Sequence, residues 1–109
     1  MDRVRSGSLS KLYEVILGLE SVEECYDFFE DLCTIKELRD LSQRLEVAFL
    51  LDQGLSYQQV AAQTGVSSAT ICRVKKCLDY GSGGYRLAID RETAKESAEV
   101  KDGSKRNEI

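Results

Sequence analysis

No proline occurs anywhere in this chain of 109 residues, so no ring breaks a helix from within, and the apolar residues recur at the spacing that a helix requires. From Ser8, the residues Leu9, Leu12, Tyr13, Ile16 and Leu19 follow one another at steps of three and four, which predicts a helix over 8–19. Ser21 with Glu24 three positions on is a capping box. The stripe Val22, Cys25, Tyr26, Phe29 and Leu32 behind it predicts a second helix over 22–32. Thr34 and Glu37 repeat the box, and no glycine intervenes before Gly54, so a long third helix is expected over 35–53.

That third helix carries a stripe of Leu38, Leu41, Leu45, Ala48 and Phe49, but Val47, Leu50 and Leu51 extend apolar surface around it. A helix with so narrow a wet face belongs at the centre of something. The first three helices present more apolar surface than two short C-terminal helices can cover, and a small helical domain buries too little to be very stable alone. A homodimer interface is the expectation; a well-filled monomeric core is the alternative. With 42% hydrophobic and 31% charged residues the chain has a globular composition. It reads as a single all-α domain over 1–91. The glycine-rich run Tyr80-Gly81-Ser82-Gly83-Gly84-Tyr85 reads as a loop, a short helix follows over 85–91, and the charged residues 92–109 read as a disordered tail.

The most informative stretch lies between. Ser56 can cap a helix over 57–64, Gly65 supplies a positive-φ terminator, and Ser67 or Ser68 can cap a further helix over 67–78. Val60, Ala61, Val66, Ile71 and Val74 sit where two short crossing helices must touch, with Ala61 small enough for close approach. This is a helix-turn-helix. An αα-hairpin with a structural role would share the apolar contacts and the glycine, but not the outer face of short polar residues followed by cations. Ser67, Ser68, Ala69, Thr70, Cys72, Arg73 and Lys76 would therefore face the major groove. Gln58, Gln59, Arg73, Lys75 and Lys76, with the backbone amides at both helix N-termini, would meet phosphates.

The net charge of −4 argues at first against a polyanionic partner, but the charge is unevenly spread. Residues 1–55 carry a net −6, residues 56–65 carry no charge, and residues 66–91 carry a net +3. The positive segment contains the second motif helix.

Cys25, Cys33, Cys72 and Cys77 have no metal-type spacing, and there is no histidine. They read as small buried apolar residues of a protein in the reducing cytoplasm, since neither a signal peptide nor a long apolar run is present. Without histidine, a positioned nucleophile or a phosphate-cradling glycine motif, an enzyme is not expected. Two readings remain open: a sequence-specific DNA-binding transcriptional regulator, most simply a repressor, and a non-catalytic helical module that binds another protein.

The stretch from Thr34 to Leu78 resembles the tryptophan-repressor superfamily, and within it the short-chain YerC/YecD type. The resemblance is carried by Thr34 with Glu37, Leu41, Arg44, Gly54, Ala69-Thr70-Ile71 with Arg73, and the run from Tyr80 to Tyr85. It implies about six helices per subunit, an intertwined homodimer, and a palindromic operator with half-sites about one DNA turn apart. It also implies an effector pocket, for which Thr34, Arg44, Arg73 and Cys77 are the candidate residues. Two departures stand out. Val74 replaces the glycine that follows the second arginine in the tryptophan-binding members and would intrude on an indole ring. Cys77 replaces a serine near the ligand's amino group and is a weaker hydrogen-bond partner. Double-stranded DNA is thus the expected partner, with no membrane, no metal and no tryptophan corepressor, and any other small effector remains open.

Overall fold

The structure is a computed structural model that describes residues 6–101. Six helices follow one another: α1 (Gly7–Leu17), α2 (Val22–Leu32), α3 (Ile35–Asp52), α4 (Tyr57–Thr64), α5 (Ser68–Tyr80) and α6 (Gly84–Lys101). No strand occurs among the described residues.

Short polar side chains start these helices by accepting hydrogen bonds from otherwise unpaired amides. Ser6 Oγ accepts from Leu9 N at 3.1 Å and Ser21 Oγ from Glu24 N at 3.1 Å. The Glu24 carboxylate accepts from Glu20 N rather than from Ser21, one residue outside the expected box. At the start of α3 the box is reciprocal, since Thr34 Oγ1 accepts from Glu37 N and Glu37 Oε1 accepts from Thr34 N.

The chain divides into two compact units, Met1–Arg39 and Asp40–Ile109, where a single domain was expected. The first unit buries none of the side chains of α1 or α2, and Leu17, Val22 and Ile35 are 85%, 72% and 77% exposed. Among the described residues of this unit none is buried. Phe28 and Phe29 meet edge to face with ring centroids 5.3 Å apart.

The second unit has the core. Val47 and Ala48 of α3, Val60 of α4, Ile71 and Val74 of α5, and Ile89 of α6 are buried, with Phe49, Leu50, Leu51, Leu55, Ala61, Val66, Leu78 and Tyr85 packed against them. Each fully buried Val or Ile contributes about 1.5–3 kcal/mol relative to an exposed one. On α3 the apolar stripe is buried only at this end, because Leu41 and Leu45 remain exposed.

The last helix corrects the expected layout. α6 runs on to Lys101, well past the expected limit at 91, and it equals α3 in length at 18 residues. Residues 92–101 contain neither glycine nor proline and are dominated by Ala, Glu and Lys, which lose little entropy in a helix. The pairs Arg86–Asp90 at 3.5 Å and Lys95–Glu92 at 3.8 Å add local support. The rest of the expected tail, 102–109, lies outside the described residues.

Candidate nucleic-acid interface

The helix-turn-helix forms from its own punctuation. Ser56 Oγ accepts from Gln59 N at 3.1 Å while Gln59 Oε1 accepts from Ser56 N at 2.8 Å, a full capping box. Gly65 ends α4 in the left-handed region at φ 74°, and its N–H donates to the Ala61 carbonyl at 2.8 Å. Thr64 braces the turn: its hydroxyl donates to the Val60 carbonyl at 2.8 Å and accepts from Val66 N at 3.1 Å. Ser67, rather than Ser68, then caps α5 by accepting from Thr70 N at 3.3 Å.

Burial divides α5 into two faces. Ile71 and Val74 point into the core beside Val60 of α4. Ala69, Cys72, Arg73 and Lys76, spaced as one face of a helix, are exposed, and Ser68 joins them at the N-terminus. Of the expected DNA contacts, Gln58 is exposed and uncommitted. Gln59 is exposed but lends its carbonyl to the cap. The hydroxyls of Ser67 and Thr70 bond to each other at 3.1 Å, and Thr70 is half-buried. Lys75 is half-buried and pairs with Asp79 at 3.5 Å. Arg73 and Lys76 have no ion-pair partner among the described residues.

α2 and α3 carry Glu residues in their first turns, whereas the first turns of α4 and α5 carry no acid. The first turns of α1 and α6 likewise carry no acid, so this feature does not by itself single out the motif helices.

The effector candidates lie on three parts of the chain. Arg44 is half-buried on α3, while Arg73 and Cys77 are exposed on α5. Thr34 belongs to the other compact unit, and its hydroxyl is taken up by the Glu37 amide. Val74 is 1% exposed and fills core volume between α3, α4 and α5. The cysteines also depart from expectation. All four are free thiols, Cys25 and Cys33 are half-buried, but Cys72 and Cys77 are exposed because the buried side of α5 is taken by Ile71 and Val74.

Sequence reasoning missed one polar contact beneath the motif. Arg86 Nη1 donates to Asp52 Oδ1 at 2.6 Å across 34 positions of sequence and also reaches Asp90 at 3.5 Å. The hydrogen bond and charge of Asp52, with Asp90 adding to them, hold the Arg86 guanidinium above its ordinary pKa. No local spacing signals a pair so far apart in sequence.

Comparison with known proteins places this geometry. The profile of the Trp repressor protein family matches residues 7–93. The chain belongs to the Trp repressor protein family. The family is one of DNA-binding regulators rather than enzymes. This family member is 50% identical over 100 residues to the uncharacterized protein YerC of Bacillus subtilis (strain 168), covering 90% of this chain and 96% of YerC. Two crystal structures are similar to it, each with a TM-score of 0.79. A candidate Trp repressor from Staphylococcus aureus is 46% identical, covering 82% of this chain and 89% of that one. A TrpR-like protein from Eubacterium eligens ATCC 27750 is 44% identical, covering 82% and 92%. Among the described residues, no helix of this family member is long and apolar enough to cross a membrane.

Proposed function

We propose that this protein is a sequence-specific transcriptional repressor of the cytoplasm. It binds a palindromic operator as a homodimer, with α4 and α5 of each copy as the reading head, and it needs no tryptophan corepressor. One observation carries the DNA-binding reading: α5 buries Ile71 and Val74 completely while its other face presents Ala69, Cys72, Arg73 and Lys76 to solvent. Small side chains near a helix N-terminus let the backbone come close to base edges, and cations further along meet phosphates.

The dimer reading is supported by the apolar surface that one copy leaves uncovered. Leu17, Val22, Tyr26, Leu32 and Ile35 are exposed in the first unit, and Leu45, Phe49 and Ala88 line an open groove in the second, bordered by Glu92 and Glu96. A monomer rarely leaves so much apolar surface open without a partner. Independence from tryptophan is supported by Val74, whose side chain is buried in the core where the tryptophan-binding members have a glycine.

Selection of duplexes from a random pool by the purified full-length chain, with and without tryptophan, tests all three parts. A palindrome enriched to the same degree in both conditions is the expected result. Affinity for the selected duplex should fall with salt at a slope of about −5 in log–log form, if Arg73, Lys75 and Lys76 of two copies each neutralise a phosphate. Absence of enrichment, or binding indifferent to salt, would favour a protein-interaction module instead.

A further inference from the structure

The helix-turn-helix is an excursion from the rest of the second unit. The chain leaves α3 at Asp52, makes α4 and α5, and returns in α6, whose first turn holds Arg86. Just inside each end stands a glycine in the left-handed region, Gly54 at φ 93° and Gly83 at φ 88°. At neither position would an added Cβ meet any atom within 4 Å, so the glycine serves backbone conformation and not close packing. Both connections therefore hold a backbone conformation that side chains other than glycine rarely adopt.

Val60 of α4 with Ile71 and Val74 of α5 root the head in the core shared with α3 and α6, and this packing sets its direction coarsely. α4 contributes one fully buried side chain, Val60, α5 two, Ile71 and Val74, and α6 one, Ile89. The directional contact is the charge-assisted hydrogen bond from Arg86 to Asp52, which joins the two stems at 2.6 Å. Asp90, one helical turn beyond Arg86, meets the same guanidinium only at the longer distance of 3.5 Å.

We propose that the Asp52–Arg86 pair is a clasp at the base of the reading head, a positioning contact that fixes the direction of α5 between the two glycine connections. It makes the protein selective for the spacing between half-sites, which rests on the dimeric DNA-binding reading above. With the clasp closed, two heads of a dimer match one separation of half-sites. With it open, each head samples a range of directions and tolerates neighbouring separations.

Full-length Arg86→Gln, Asp52→Asn, their double variant and Asp90→Asn test this on the palindrome selected by the parent chain, and on versions with one base pair added to or removed from the centre. Either clasp variant should lose about two- to fivefold on the preferred spacing, the range expected for an exposed ion pair. The loss should be smaller on the altered spacings, so that the profile broadens. The double variant should lose no more than either single one, since the same hydrogen bond is removed in each case. Asp90→Asn should stay close to the parent. Residual dipolar couplings of α5 amides relative to residues 40–52 of α3 read the head's direction without DNA, and should change in both clasp variants. Unchanged couplings, or an equal loss at every spacing, would overturn the proposal and leave the pair as general support for the fold. If the parent selects no palindrome, the DNA-binding reading fails, while the couplings still decide whether the clasp orients the head.

Discussion

Gly65 is the residue on which the motif turns. At φ 74° with open space around it, its replacement is limited by backbone conformation alone. Gly65→Ala should cost about 1–2 kcal/mol in chemical unfolding, and Gly65→Val more because a β-branched side chain resists the left-handed region. Equal stability of all three proteins would mean that the turn adopts another conformation. The cations make a separate prediction at this scale. Lys76→Ala should weaken binding to all duplexes alike and reduce the salt slope by about 0.9 for each phosphate that is no longer neutralised. A change in preferred sequence instead would move Lys76 from phosphate to base contact.

At the scale of elements, Val74 joins the reading helix to the core. It is 1% exposed and packs with Val47, Ala48, Val60 and Ile71. Val74→Ala should therefore cost about 2 kcal/mol in thermal or urea unfolding, from the two methyls removed and the space they leave. Val74→Gly makes a sharper comparison, because a steric barrier to tryptophan should fall with it. Calorimetry should then detect tryptophan binding that the parent lacks, provided the weakened protein is held below its unfolding temperature. No binding by a folded Val74→Gly protein would place the barrier elsewhere, with Cys77 the next residue to test.

At the scale of the whole molecule, apolar side chains in the first unit need a cover that neither α1 nor α2 supplies. A homodimer predicts a midpoint of thermal unfolding that rises with protein concentration, and a dimer mass in sedimentation equilibrium. Leu17→Glu, at an exposed position outside the core, should shift sedimentation toward the monomer while α4 and α5 keep their hydrogen-exchange protection. A parent chain that sediments as a monomer at micromolar concentration would remove the dimer, and with it the palindromic operator.

Local chemistry was legible without the fold. Ser21, Thr34, Ser56, Gly65 and Ser67 start or end helices through bonds that span only a few residues, and the spacing of Val60, Ile71 and Val74 already specified the buried side of the motif. The outward position of Ala69, Arg73 and Lys76 followed from the same periodicity. Other features depended on residues far apart in the chain. Tyr85 and Ile89 pack against the core and Arg86 reaches Asp52 across 34 positions, so α6 is anchored at a glycine-rich boundary where sequence alone suggested a short helix and a loose tail. The exposure of Cys72 and Cys77 was decided in the same way, by which face of α5 the core claimed. Hydrogen-bonded caps and helical periods are properties of neighbours in sequence. The length of α6, the clasp beneath the reading head and the side of each cysteine are properties of neighbours in space, which exist only once the chain has folded.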